Sequence, residues 1–438
     1  IMLSVVIVAS IALAVFLGYK TGYNTGFFCI VFAYLIGCFA VGMSTKSLIA
    51  SWPTSTMFVI LSVSLFYNFA AVNGTLEKLS SMLLYACRKF PGLLPYALFL
   101  VAVVLSVMGA AYFTVLAFLA PITMAICEES KMDKLTGAVA INCGALAGGN
   151  FPTGALGVVF RGLMDTAYAD NPDIPAADSF STEFMIFGLA IVFSVILITI
   201  FRFGFKENRE IGKGITFKKP EPFDDKQRKT FTLMILMMIA VLVFPIMKMI
   251  MPSNETISSI AGMIDVGLVA FIFTVIALLL KLAPQKEVIA KVPWNTILMI
   301  AGAGMLIAVA VEAGTINQLS NWIGANVPVF LVPLAFSIVA AIMSFFSSTT
   351  GVVTPALFPL IPALAVATGL NPVTLFACTV LGAQSSAISP FSSGGSLILG
   401  SYGNDEERNK LFNRLMFVAV PISICVCAVY NFIVAMAL

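Results

Sequence analysis

An all-α polytopic membrane fold made of two inverted repeats is predicted by three features of this sequence. These are its composition, the placing of four interrupted apolar stretches, and a register that lays one half over the other. Of 438 residues, 60% are hydrophobic and 10% charged, with a mean hydropathy of +1.03. Soluble domains are roughly 45–50% apolar and about 25% charged. The net charge of +3 (24 − 21) is too small and too scattered to recruit nucleic acid. There is no histidine, which removes the commonest metal ligand and the commonest proton acceptor near neutral pH. The eight cysteines, Cys29, Cys38, Cys87, Cys127, Cys143, Cys378, Cys425 and Cys427, lie mostly in apolar runs without paired ligand spacing, and read as small packing residues.

A crossing helix needs about 20 apolar residues. In chain order, the first half offers scaffold spans within 1–72 (2–18, 25–44 and 54–72), an amphipathic arm at 73–92 and a hairpin at 94–127. A broken helix at 135–160 and a last span at 184–204 complete it. The opening apolar run lacks a basic start and a small-residue cleavage site, so it reads as a span and not as a signal peptide. The hydrophilic segment 205–229 links the halves. The second half repeats the order with a scaffold at 230–312 (spans 230–251, 260–281, 294–312), an arm at 313–326 and a hairpin at 328–368. A broken helix at 372–400 and a last span at 413–437 follow. The hairpins are interrupted by VMGAAYFT and FSSTTG, the broken helices by GALAGGNFPTG and GAQSSAISPFSSGGSLILG.

The register is a duplication. Pro53 and Pro293, Gly74 and Gly314, and Leu79 and Leu319 are 240 apart. Pro95 and Pro333, Ser106 and Ser344, Gly144 and Gly382, Pro152 and Pro390, and Gly157 and Gly395 are 238 apart. Each half crosses five times, an odd number, so the halves must face opposite ways, as in many secondary transporters. The resulting threading puts 21 of the 24 lysines and arginines on one side and leaves Lys46, Arg161 and Lys248 on the other. The basic side is therefore expected to be cytoplasmic, with both termini and the acidic segment DTAYADNPDIPAADSFSTEF outside.

Unwound backbone survives in a membrane only where it lines a cavity or is buried in protein. Half-helices ending there aim partly positive N–H groups at their surroundings, which favours an anion. The substrate site is accordingly expected between Gly148, Gly149, Asn150, Pro152 and Thr153 of the first break and Ser386, Ser389, Pro390 and Ser392 of the second. Thr114, Thr349 and Thr350 of the hairpin tips would close over it. A hard cation needs five or six oxygens. Ser347, Ser348, Thr349, Gln384 and Ser385 are the richest oxygen set, because the matching first-half positions offer little beyond backbone. Arg161 is expected at the outer end of the first broken helix, as an interfacial side chain or at the outer mouth. No buried acidic pair able to carry protons is expected. No catalytic constellation and no GxxxxGK[ST] loop is present, which argues against an enzyme or an ATP-driven pump.

Three stretches carry a family resemblance: VNGTLEKLS at 72–80, Pro95 to Ala110, and GALAGGNFPTGALG at 144–157. They resemble the MatC-type malonate and dicarboxylate carriers of the ion transporter superfamily, related to the divalent anion–sodium symporters, and the likeness runs over nearly the whole chain. It implies secondary active transport of small di- or tricarboxylates across the cytoplasmic membrane by an elevator mechanism. It also implies a homodimer in lipid, no cofactor, and sodium as a coupling ion. In that picture the first three spans of each half form the dimer scaffold. The hairpins, broken helices and last spans move. The symporters carry a Ser-Asn-Thr triplet at each hairpin tip, about ten residues before a proline. Here those places hold Ala111-Tyr112-Phe113 and Thr349-Thr350-Gly351, so the sodium site at the first tip is not expected. Another organic anion, an aromatic carboxylate lined by Tyr112 and Phe113, or exchange without sodium stays open as the alternative.

Overall fold

The computed structural model describes residues 2–437 except 87–90, 172–173, 207, 209–210, 212–218, 252–253, 347 and 401–404. Every regular element among the described residues is helical. Among the described residues, five helical stretches are long and apolar enough to cross a membrane: Tyr112–Ser130, Ser179–Gly204, Asp225–Lys248, Thr349–Thr368 and Glu406–Ala437. Other apolar helices are shorter or occur in pairs bent by 61° to 114°.

The duplication is visible in the element bounds. Spans Thr54–Val72 and Trp294–Glu312, arms Thr75–Ala86 and Thr315–Asn326, and short helices Thr45–Ala50 and Gln285–Ala290 correspond end for end at 240. At both span-to-arm turns the chain adopts a left-handed conformation, at Gly74 (φ 76°) and Gly314 (φ 68°). A side chain would be strained there. The first arm leaves its span at 68°, as expected of an amphipathic helix lying along the interface.

The halves interlock through their scaffold spans. Thr25–Ile36 packs on Trp294–Glu312 of the other half, and Val266–Leu279 packs on Thr54–Val72. The first pair meets backbone to backbone, since a Cβ on Gly302 would lie 2.1 Å from the Gly26 carbonyl oxygen. The second pair is joined by rings, with Phe58 on Phe271 and Phe66 on Phe273 at 5.5 and 5.7 Å. Away from the scaffold, Leu94–Val107 packs on Lys134–Gly149 and Val332–Phe346 on Pro372–Ser385. A Cβ on Gly144 would come 2.4 Å from the Phe99 oxygen, and one on Gly382 would come 2.4 Å from the Ser337 oxygen. Both pairs stand 238 apart, so the same close packing is made twice.

The loops gather at two ends. At one end Asn24 donates to the Asn295 carbonyl at 2.7 Å, Asn73 donates to Thr230 at 2.7 Å, and Lys78 reaches Glu221 at 3.7 Å. Arg414 pairs there with Asp133 at 2.5 Å, and Lys134 pairs with Glu407. At the other end Ser4 donates to Gln318 at 2.9 Å, and Arg161, Asp178 and Lys248 line one cleft of about 300 Å³. Each of these links joins segments that the five-crossing threading puts on the same side.

Two expected elements differ. The span expected at 260–281 is two helices, Glu255–Met263 and Val266–Leu279, bent by 61°. Asp265 caps the second by accepting the Leu268 N–H at 2.8 Å, which stabilises a helix start inside an apolar run. The returning arm of the second hairpin is a π-helical turn Thr349–Val353, a helical turn Thr354–Leu357, a 3-10 turn Phe358–Leu360 and Ile361–Thr368. Pro355, Pro359 and Pro362 each remove a backbone donor and disturb the ladder.

Candidate functional site

The two breaks fold alike. In the first, Phe151 N–H bonds the Gly148 carbonyl, Gly154 N–H the Phe151 carbonyl, and Val158 N–H the Gly154 carbonyl, at 3.1, 2.6 and 3.0 Å. In the second, Ser389 bonds Ser386, Ser392 bonds Ser389, and Ser396 bonds Ser392, at 2.9, 2.9 and 3.1 Å. All three donors and acceptors correspond at 238. Gly157 and Gly395 are needed for this curl, because a Cβ on either would lie 2.1 Å from the carbonyl oxygen of Phe151 or Ser389.

The serines of the second break chiefly serve its own backbone. Ser385 donates to the Gly382 carbonyl at 2.7 Å, and Ser386 to the Ala341 carbonyl of the hairpin at 2.7 Å. Ser392 donates to Ala387 and Ser389 carbonyls at 2.5 and 2.7 Å, while Ser389 Oγ accepts the Phe391 N–H at 3.2 Å. They satisfy groups that unwinding frees, which the membrane interior requires. Asn150 and Gln384 do something else. Each amide donates to the other, at 3.0 and 2.7 Å, with both side chains buried. This reciprocal pair ties the first break to the helix that leads into the second.

A cavity of about 100 Å³ lies where the scaffold meets the hairpin tips and breaks. One wall comes from Thr54–Val72, with Ser64, Tyr67 and Asn68, and from the Lys291–Pro293 turn. The other wall comes from the first tip (Gly109 to Thr114), the second tip (Ser344, Ser348, Thr349, Thr350), the start of Ala155–Ala169, and Ser392 and Gly394. Lys291 is the one charged side chain among the lining residues.

Of the site residues expected from sequence, Thr114, Thr349, Thr350 and Ser392 line this cavity. Gly148, Gly149, Asn150, Pro152, Thr153, Ser386, Ser389 and Pro390 lie behind its wall. Gly148 packs on the Val103 backbone. Of the cation set, Ser348 and Thr349 line the same cavity, and Ser347 lies outside the described residues. Ser348 and Thr350 hydroxyls are 3.3 Å apart, and Ser344 and Thr349 hydroxyls 3.0 Å apart. Gln384 and Ser385 face a different void, of about 10 Å³, together with Asn142, Ser194 and Ser423. The four described members of the cation set therefore divide between two voids. Among the described residues no cluster of three or more acidic or cysteine side chains could hold a metal ion.

Tyr112 is buried, and its hydroxyl donates to Asn142 Oδ1 at 2.6 Å. A Cβ on Gly394 would lie 1.9 Å from that hydroxyl, so the first tip docks on the second break where only glycine leaves room. Arg161 neither snorkels freely nor simply lines a mouth. Its Nη1 donates to the Pro152 carbonyl inside the first break at 3.2 Å, and its guanidinium lies 5.1 Å from the centre of the Phe180 ring. Glu183, near the end of the acidic segment that the sequence places outside, is 0% exposed. Lys291, Asn68 and Tyr67 were also missed. Lys291 reads in sequence as one more topology-setting cation, and nothing local marks the other two.

Two sequence-related halves, each bringing a hairpin tip and a broken helix to one cavity, define the architecture of a secondary transporter. The chain belongs to the sodium:sulfate symporter family, whose transmembrane-region model matches residues 185–436. The dicarboxylate carrier protein MatC N-terminus model matches residues 2–149. Dicarboxylate or related anions are thus its substrate class, and its architecture is that of a multi-pass inner-membrane protein. No curated protein matches the sequence. Among solved structures, the fold is similar to that of the Alcanivorax borkumensis YdaH transporter, at 17% identity and a TM-score of 0.58, over 88% of this chain and 87% of that one. It is also similar to that of Neisseria gonorrhoeae MtrF, described for a class of antimetabolite efflux pumps. There the identity is 14% and the TM-score 0.61, over 90% of this chain and 83% of that one. At these identities the likeness is one of fold.

Proposed function

We propose that the cavity between the Thr54–Val72 span and the two hairpin tips is the dicarboxylate site, and that the chain carries its substrate by an elevator movement. The observation that carries this reading is the cavity's lining: both tips, both breaks and the scaffold wall meet there. One carboxylate would sit on Lys291. The other would sit on the N–H groups opening Ala155–Ala169 and on the hydroxyls of Ser348 to Thr350. Dipoles and hydroxyls hold an anion weakly enough to release it. The hairpins, broken helices and last spans would move against the scaffold spans. In the membrane the basic end would face the cytoplasm and both termini the outside, and the chain would work as a homodimer.

Sodium enters the proposal through the family and not through a completed cage. The second-tip hydroxyls are the oxygens a cation would use, while Gln384 and Ser385 are turned to another void. Uptake of labelled malonate, succinate, malate and citrate into proteoliposomes, with and without a sodium gradient, tests both parts. Saturable uptake with counterflow supports the carrier. Uptake of none of these, or linear unsaturated flux, refutes it.

A further inference from the structure

Glu183 sits one turn into Ser179–Gly204, wholly buried. Among the described residues neither of its carboxylate oxygens has a hydrogen-bond partner, and Nε of Arg161, the cation that acts on it, is buried and unpartnered too. An ionised carboxylate that is dry and unpaired does not persist in a protein. It finds a cation or takes up a proton.

The titratable groups around it are few. Ala155–Ala169 brings Arg161, Asp165 and Tyr168, the helix's own cap brings Asp178, the cap of Val266–Leu279 brings Asp265, and Lys248 stands across the outer cleft. On the other helices packed against this span, Tyr96 bonds Thr199, Tyr430 bonds the Leu189 carbonyl, and Cys378 bonds the Asn431 carbonyl. Cys143 bonds Ser194, Cys427 lies against Ser337, Cys425 is exposed, and Lys134 is paired with Glu128 and Glu407 at the opposite end. Arg161 is the charge that acts on Glu183, yet no ion pair joins them among the described residues. The guanidinium is spent on the Pro152 carbonyl of the first break. The residue after Glu183, Phe184, and then Phe187 pack on Phe151 of the same break, with ring centres 6.2 and 5.2 Å away. Arg161 thus holds the break carbonyl, while the carboxylates that act on it, Asp165, Glu183, Asp178 and Asp265, include one, Glu183, that is wholly buried and unpartnered. That is the arrangement of a neutral Glu183.

We propose that Glu183 is a proton-binding site through which this carrier couples anion movement to protons. With Glu183 protonated, Arg161 holds the Pro152 carbonyl and the first break keeps the shape seen here. When the proton leaves to water in the outer cleft, Arg161 turns to the carboxylate and frees the carbonyl, so the break can rearrange. The coupling rests on the transport reading above, but the proton site does not.

Two readouts keep these apart. Infrared difference spectra of the purified protein between neutral and alkaline pH report the C=O stretch of protonated carboxyls. We expect a band in the wild type that is missing from Glu183→Gln and shifted in Glu183→Asp. A wild-type spectrum unchanged by Glu183→Gln overturns the site, whatever the substrate. In proteoliposomes with the potential clamped by potassium and valinomycin, an acid-outside gradient of one pH unit should raise succinate accumulation by up to about tenfold per proton coupled. Counterflow in the same vesicles normalises for active carrier. The gradient response should vanish in Glu183→Gln and partly return in Glu183→Asp. A wild type that shows counterflow but ignores the gradient, or a Glu183→Gln variant with the wild-type response, overturns the coupling. Absence of counterflow for every carboxylate in the wild type counts against the transport reading instead, and the infrared band then decides the proton site alone.

Discussion

Replacing Asn150 or Gln384 by alanine strands the other amide in a buried position, because each donates to the other at 3.0 and 2.7 Å. An unsatisfied buried polar group costs about 1–3 kcal/mol, and removing both partners together costs much less than the sum. Each single variant should therefore lose about 1–3 kcal/mol, and the double variant should show a coupling energy of similar size, well above the roughly 0.5 kcal/mol expected of independent sites. Reversible unfolding in mixed micelles, run on wild type, both singles and the double, measures the cycle. Because neither side chain lines the cavity, apparent substrate affinity of whichever variants fold should change less than the stability does. Additive single effects would refute the pairing. Loss of affinity without loss of stability would place Asn150 in the substrate site instead.

Lys291 is exposed and is the one charged residue lining the cavity. Lys291→Gln should weaken apparent affinity for a dicarboxylate about ten- to hundredfold, the loss of a charged hydrogen bond of about 1.5–3 kcal/mol, and Lys291→Arg should restore part of it in uptake assays. Gly394→Ala should cripple uptake because its methyl meets the Tyr112 hydroxyl at 1.9 Å, and Tyr112→Phe in the same chain should recover part of the loss. Cysteines placed at Lys219 and Asp170, both exposed, in a background free of other reactive thiols should react with an impermeant reagent from opposite faces. Labelling from one face would contradict the inverted threading. Sodium dependence of uptake should weaken in Ser348→Ala if the second tip takes a cation, and an unaltered dependence would exclude that hydroxyl.

The repeats, hairpins and breaks were legible because glycine, proline and serine stand out against an apolar background, and because Gly144, Pro152 and Gly157 recur 238 residues on. The identical backbone bonds of the two breaks are what that register means physically. The site was only partly legible. Serines that look like ligands in sequence are bonded to backbone in the fold, which no local pattern reveals. The Asn150–Gln384 pair spans 234 residues, and Lys291 reaches the cavity from a loop that otherwise reads as a topology signal. Glu183 follows a run of exposed acids, so its burial depends on the packing of Ser179–Gly204 and not on its neighbours in sequence. The bend at Ile264 was hidden in an apolar run whose only sign is the capping Asp265.

The central claim, that substrate sits between the scaffold wall and the hairpin tips, is tested most directly by protection. Single cysteines at Ser64 on the scaffold and Ser348 on the second tip, two residues on opposite walls of the cavity, are labelled with a small thiol reagent at increasing dicarboxylate. The account predicts that both are protected, with the same half-protecting concentration, matching the half-saturation of uptake. Saturable uptake with both cysteines labelling at an unchanged rate would contradict it.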